Sequence, residues 1–314
     1  MKAANCTVCK HREAFFFRPY SGEKLCRRCF ARSIENKVRS TVAEYDMLKH
    51  NDRIAVGVSG GKDSSSLLQI LSKIEHDYPK SSLVAVTIDE GIKEYRDEAL
   101  KIAKENCRNL SVEHHVVSFK ELYGYTFDEI IRSLKKNEVA RLTPCAYCGV
   151  LRRKALNFAA RHVKAHKLAT AHTLDDEIQT ILLNILHGDP LRIAKERPTT
   201  EKAHPKLVQR IKPFCMIPEK ETTLYAYVKR LNFQDIPCPY GSEALRNDVR
   251  RFLNRMEEKH AGIKFTISKS MERIRPAAEK IVKHERFNEC TICGEPTSGK
   301  TCKACQILQQ TEKA

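Results

Sequence analysis

No stretch of this 314-residue sequence approaches the ~18 consecutive apolar residues that a membrane-spanning helix needs. The opening residues, Met1-Lys2-Ala3-Ala4-Asn5-Cys6, carry no apolar leader segment. A cytoplasmic protein without a membrane partner is therefore expected. No low-complexity tract interrupts the chain. Acidic residues are scarce: 39 Asp and Glu stand against 56 Lys and Arg, for a formal net charge of +17. Such a balance favours polyanionic partners, nucleic acid foremost, without separating RNA from DNA.

What the sequence has in excess is cysteine. The 13 cysteines are an odd number arranged largely as C-x-x-C pairs. That pattern fits metal ligation in a reducing compartment better than a disulfide framework. Cys6-x-x-Cys9 with Cys26-x-x-Cys29, and Cys290-x-x-Cys293 with Cys302-x-x-Cys305, form two sets of four thiols near the two ends. Each has the ligand count of a closed structural zinc site, so two Zn²⁺ ions are expected. Neither module contains enough apolar residues to fold alone, so metal binding should supply its folding free energy. Basic and aromatic residues around the first set, among them Lys10, Arg12, Arg27, Arg28 and Phe15 to Phe17, suit contact with single-stranded RNA or packing against the main body.

Between the ends, strand and helix patterns alternate. Arg53 to Val58, Leu83 to Ile88, Val112 to Ser118 and Lys167 to Ala171 read as strands. Ile34 to Leu48, Ser64 to Tyr78, Tyr95 to Asn109, Leu174 to His187, Glu219 to Leu231 and Glu243 to His260 read as helices. This order predicts an α/β fold with a doubly wound parallel sheet. Gly188 to Lys212, rich in Pro and basic residues, reads as a loop excursion. The predicted organisation is a zinc-binding module over 1–32, a linker helix over 33–50, a nucleotide-binding domain over 51–275, and a second zinc-binding module and tail over 276–314.

Gly57-Val58-Ser59-Gly60-Gly61-Lys62-Asp63-Ser64 follows the first of these strands and opens a helix. Glycines permit a tight turn whose N–H groups face an anion, and the helix N-terminus adds partial positive charge. Lys62 can pair with a phosphate, while Ser59 and Ser64 can donate hydroxyl hydrogen bonds. The motif is not a Walker A sequence: Asp63 follows Gly61-Lys62, and Val56 stands where the leading glycine belongs. It resembles instead the S-G-G-K-D-S signature of the PP-loop superfamily, whose members bind ATP and adenylate their substrates. In that superfamily the strand end at Ile88 lines the adenine pocket. Ala171-His172-Thr173-Leu174-Asp175-Asp176 resembles the family's G-H-N-x-D-D element, with Ala171, His172 and Asp176 at ligand-facing positions. Asp175 and Asp176 are equally suited to favour a helix dipole.

Cys145-Ala146-Tyr147-Cys148 precedes a helical pattern, and Cys238 lies far downstream. Alone, C-x-x-C can bind zinc, cycle as a disulfide or hold an iron–sulfur cluster, and its place at a helix start should depress the thiol pKa values. The order of the PP-loop, C-x-x-C-G-V-L-R-R, H-x-x-D-D and a lone cysteine, between two cysteine modules, resembles the tRNA 2-thiouridine synthetases over the whole chain. These comprise the TtuA type and the archaeal and eukaryotic wobble-uridine thiolases. The resemblance implies that Cys145, Cys148 and Cys238 hold a 4Fe-4S cluster or, on another reading, carry persulfide. It implies ATP and Mg²⁺, with Lys62 and Asp63 at the reacting phosphates and Arg152 at the nucleotide. It also implies tRNA as substrate, free sulfide or a ubiquitin-like carrier as sulfur donor, and a homodimer. Wobble-branch features favour the wobble uridine over the T-loop uridine. A base-modifying PP-loop enzyme of another kind, or an RNA-binding scaffold without catalysis, stands as the alternative. Arg246, Arg250 and Arg251 suit RNA phosphates or a solvated helix face. Cys107 and Cys215 read as structural.

Overall fold

The computed structural model describes residues 4–241, 245–282 and 287–312. The chain starts with a hairpin of β1 (Phe16–Arg18) and β2 (Glu23–Leu25), followed at once by α1 (Arg27–Glu44). The helix begins seven residues before the expected Ile34, with Cys26 at its N-cap position, so module and helix are one continuous piece. Phe15 and Phe16 meet Phe30 of α1 edge-on, with centroids 5.5 and 5.0 Å apart, while Phe17 stays exposed.

The main sheet is built from β3 (Arg53–Gly57), α2 (Lys62–Ile74), β4 (Ser82–Asp89), α3 (Arg96–Asn109) and β5 (Glu113–Ser118). Short α4 (Phe119–Tyr123) and α5 (Phe127–Lys136), then α6 (Pro144–His162), lead to β6 (Lys167–Ala169). Next come α7 (Leu174–Leu186), α8 (Pro190–Lys195) and β7 (Gln209–Ile211). The five strands lie in the order β5-β4-β3-β6-β7, and all pairs are parallel. The order reverses between β3 and β6, which places the switch-point crevice at their carboxyl ends. The predicted doubly wound sheet is present. The segment from Gly188 to Lys212 is more than a loop: it supplies α8 and the edge strand β7, too short and too basic to carry a strand signature.

The chain continues through α9 (Glu219–Val228), α10 (Leu245–Lys259) and α11 (Ile263–Ile281). The expected helix start at Glu243 and the first three residues of the expected 1–32 module lie outside the described residues. The C-terminal module is a small hairpin of β8 (Asn288–Glu289) and β9 (Pro296–Thr297) followed by α12 (Lys303–Glu312).

Two cores cover the two faces of the sheet. One joins Ile54, Val56, Leu67 and Leu71 to Phe30, Ile34 and Val38 of α1, and to the N-terminal module through Cys6 and Cys26. The other joins Val84, Val86 and Phe127 to Leu151 and Ala155 of α6, and to the C-terminal module through Cys290, Cys302 and Ile307. Each module thus caps an opposite face. Cys107 and Cys215 are both buried in the first core. Burial alone pushes Cys107 up to about 12, as expected of a packing thiol.

Charge fixes the N-terminal module as well. Arg18 is 1% exposed and gives a bidentate pair to Glu221 of α9, at 3.1 and 2.9 Å. Its remaining N–H groups reach Glu23 at 2.7 Å and Ser33 at 2.8 Å, and Tyr20 also donates to Glu221. Removing one partner of such a buried pair strands the other charge and costs about 3–5 kcal/mol. Glu221→Ala should therefore lower the thermal unfolding midpoint sharply, whereas Glu23→Ala, whose carboxylate is 38% exposed, should shift it far less; paired melting curves check this.

Candidate functional site

At the carboxyl ends of β3 and β6 lies a cavity of about 670 Å³. Gly57, Val58, Ser59, Gly61, Lys62 and Ser64 form one wall. Val86, Ile88 and Leu156 supply its apolar patch, and Ala171, His172 and Arg152 close the far side. Of the residues expected to bind the nucleotide, Gly60 and Asp176 do not line it.

Gly60 acts through the backbone. It sits at φ +86°, and a Cβ there would fall 2.4 Å from the Ala99 carbonyl oxygen, so only glycine lets the turn pack on α3. Gly61 caps α2 without any side-chain hydrogen bond, leaving the first-turn N–H groups available to an anion. The α7 start is the opposite case. Thr173 accepts from the Asp176 N–H, and the Asp176 carboxylate accepts from the Thr173 N–H at 3.0 Å. Asp176 therefore closes a capping box, and that helix end offers no free anion site. Asp175 instead accepts from the Glu219 N–H at 2.7 Å and from the Lys264 ammonium.

Ser59 and Ser64 hydroxyls lie 3.1 Å apart, and Ser64 donates to the Gly61 carbonyl at 3.0 Å, fixing the loop. Lys62 bridges Asp63 at 2.7 Å and Glu219 at 3.0 Å. Burial works against its charge, and these two carboxylates outweigh it, so the ammonium is held above its usual range. Asp63 also accepts from the Thr222 hydroxyl. The two carboxylates are a fitting hard-oxygen pair for a divalent cation once Lys62 turns to a phosphate. Glu219 was invisible in the sequence because it lies 157 residues from Lys62, on a helix of its own.

Glu90 was also missed, and it ties the site together. Only 2% exposed, it pairs with Arg96 at 2.8 Å and with Arg152 at 2.6 Å. Arg96 further donates to the carbonyls of Ser59 at 3.1 Å and Ile88 at 2.7 Å. One carboxylate thus links the phosphate loop, the adenine-side strand end and α6. Its only signal was its place at the end of a strand. His172 donates to or accepts from Thr170 at 2.9 Å, and desolvation in the cleft, then the Lys212 and Arg210 cations, lower its pKa. Arg250 of α10 reaches this cavity and stands 3.7 Å from Glu219, while Arg246 donates to Gln179 and Thr180 at 3.3 and 3.1 Å and Arg251 faces Asp248.

The central cysteines cluster beside the same cavity. Pro144 opens α6, Cys145 follows it in the first turn, and the Cys145 thiol reaches the Tyr240 carbonyl at 3.2 Å. Cys148, one turn on, is buried and receives Arg152 Nη2 at 3.5 Å. Cys238 directly follows the cavity-lining Pro237. Tyr240 anchors this stretch by a 2.7 Å bond to Asp128 and an edge-on contact with Phe127. Cys145 feels the charge of Cys238, and Cys148 that of Cys238 and Cys145. The helix start does not make them acidic: burial dominates, raising Cys145 and pushing Cys148 up to about 11 despite the Arg152 cation. Three thiols with a neighbouring guanidinium fit an iron–sulfur cluster. They are not gathered as tightly as the end groups, and ligands of separate irons stand farther apart than ligands of one ion.

Both end groups do have single-ion geometry. In each, the four sulfurs lie within 4.8 Å of one another. Burial raises Cys6, but the N–H groups of Cys9, Cys26 and Val8 outweigh it and bring the thiol to about 6; Cys290 is brought to about 6 likewise. In the C-terminal group, Lys154 of α6 points its ammonium at Cys293, 3.1 Å away. Gly60→Ala should abolish nucleotide binding by misplacing the loop while leaving both cysteine groups intact; calorimetric ATP titration beside zinc analysis checks both halves.

Residues 30–257 match the model of the PP-loop domain ATP_bind_3. A Chlamydomonas reinhardtii protein named cytoplasmic tRNA 2-thiolation protein 1 is 37% identical over 305 residues, covering 97% of this chain and 84% of its own. A Methanocaldococcus jannaschii protein named "probable sulfurtransferase" is 36% identical over 298 residues, covering 94% and 85%. The solved U34-tRNA thiolase NcsA of Methanococcus maripaludis, with its [4Fe-4S] cluster, superposes with a TM-score of 0.84 at 33% identity over 98% of this chain and 97% of that one. With its phosphate loop, its central cysteines and this full-length likeness, the chain belongs to the PP-loop family of tRNA thiolases and sulfurtransferases.

Proposed function

We propose that this protein is a cytoplasmic, ATP-dependent tRNA 2-thiouridine synthetase acting on the wobble uridine. The observation that carries the reading is the Glu90 bridge, which joins a nucleotide loop through Arg96 to a three-cysteine cluster through Arg152. The position on the tRNA rests on likeness to a U34-tRNA thiolase.

ATP lies with its phosphates on the loop and its base against Ile88 and Val86. The uridine C2 oxygen attacks the α-phosphorus; the new P–O bond forms as the bond to the β-phosphate oxygen breaks and pyrophosphate leaves. The uridine N3 proton leaves in the same activation. Lys62 and the open helix N-terminus stabilise the charge developing on phosphate. Asp63 and Glu219 would hold Mg²⁺, which supplies further charge neutralisation there. Hydrosulfide, free or released from a carrier thiocarboxylate, then attacks C2. The C–S bond forms, the C2–O bond breaks, AMP leaves, and the hydrosulfide proton restores N3–H. Cys145, Cys148 and Cys238 would hold a 4Fe-4S cluster, which would supply Lewis-acid chemistry for sulfur delivery beside the cavity. Arg152 offsets the negative charge beside Cys148 and stays oriented by Glu90.

Cys145→Ala should leave ATP affinity unchanged and reduce 2-thiouridine formation by roughly a hundredfold or more, taking sulfur delivery as worth a few kcal/mol of barrier. Nucleoside mass spectrometry of the treated tRNA reads this, and undiminished thiolation would sink the scheme. Protein purified without oxygen should hold about two zinc, four iron and four sulfide per chain, and Cys238→Ser should lose the iron and keep the zinc.

A further inference from the structure

Outside the cavity, α6 is pinned to the segment that leads into the edge strand β7. Asn157 of α6 accepts from the Val208 N–H at 2.9 Å and donates to the Lys206 carbonyl at 2.9 Å, and Arg161 donates to that same carbonyl. One turn back along α6 from Asn157 is Arg153; two residues on from Val208, on the same side of the strand, is Arg210. The pinning therefore sets the two guanidiniums against each other at the carboxyl edge of the sheet. Arg192 of α8 joins them. Among the described residues, Arg153 makes no hydrogen bond or ion pair, and the Arg210 Nε is buried with no acceptor. The nearby acids are spent: Glu196 on Lys212, Glu295 on Arg161 and Asp189 on Arg192. Arg153 is exposed at the surface, and partial desolvation, then the Arg210 and Arg192 charges, lower its pKa. Arg192 keeps Asp189, and Glu196 also faces Arg153 and Arg210, but three guanidiniums against two acids leave a positive group that an added anion would balance.

We infer that Arg153, Arg192 and Arg210 form a clamp for a backbone phosphate of the RNA strand, next to the nucleotide whose base enters the cavity. The clamp does not line the ATP cavity, so ATP phosphates on the loop do not explain it. It borders that cavity at two points, because Arg153 follows the cavity-lining Arg152 and Arg210 faces His172. A phosphate held there leaves its base at the entrance between His172 and Cys148, the side from which sulfur must arrive. This assignment rests on the tRNA reading above and deepens it.

The test uses a fluorescein-labelled anticodon stem-loop RNA titrated with the anaerobically purified full-length protein across a salt series. Arg153→Gln and Arg210→Gln should each weaken binding about threefold to tenfold and lower the log–log salt slope by about 1, with ATP affinity unchanged. Arg192→Gln, on an exposed short helix and safe for folding, should act in the same direction. Arg108→Gln, at the far edge of the sheet, should change nothing. Variants that keep wild-type RNA affinity and slope overturn the clamp. So do variants that keep RNA affinity but lose thiolation, since the cluster would then serve an acidic protein donor. Wild-type protein without salt-dependent RNA binding would overturn the tRNA reading and the clamp together.

Discussion

The Glu90 carboxylate is the constraint on which this site depends. It is buried at the end of β4, with Arg96 on one oxygen and Arg152 on the other. A lone buried carboxylate would be far too costly to keep ionised; two guanidiniums make it favourable, and each is then oriented by it. Arg96 passes that order to the Ser59 carbonyl and so to the phosphate loop. Arg152 passes it to the Cys148 thiol. The Glu90 carbonyl also accepts the Phe127 N–H at 2.7 Å, so the helix that anchors Tyr240 starts from the same residue. The phosphate loop and the central cysteines are held in one frame by a single side chain.

The second organising element is α6. Its first two turns carry Cys145 and Cys148, its third Arg152, Arg153 and Lys154, and its last Arg161. Successive faces serve the sulfur site, the nucleotide cavity, the C-terminal cysteine group and the edge strand. That division explains why the C-terminal module packs on this face: Lys154 meets its sulfurs, and Arg161 pairs with Glu295. On the other face, α9 does the same for the N-terminal module, since Glu219, Glu221 and Thr222 reach Lys62, Arg18 and Asp63 within one turn. Each cysteine module thus touches a helix that also lines the cavity.

The local chemistry was legible in the sequence; the long-range pairing was not. The phosphate loop, the two four-cysteine groups and the doubly wound order follow from motif, spacing and period, which are local properties. Glu90, Glu219 and Arg18 carry no such signature, because their partners lie 62, 157 and 203 residues away. Asp176 shows the reverse: its place in an H-x-x-D-D run suggested a ligand contact, whereas its carboxylate closes a capping box. The edge strand β7 was hidden because three residues with Gln and Arg at two of them give no apolar alternation.

The central claim is that the uridine oxygen itself is adenylated in the cavity before sulfur replaces it. The most direct measurement is the fate of that oxygen. A tRNA carrying ¹⁸O at C2 of the target uridine, incubated with the enzyme, ATP and sulfide, should place the label in AMP in step with 2-thiouridine formation. Label appearing in water or retained in the base, with AMP unlabelled, would contradict the account.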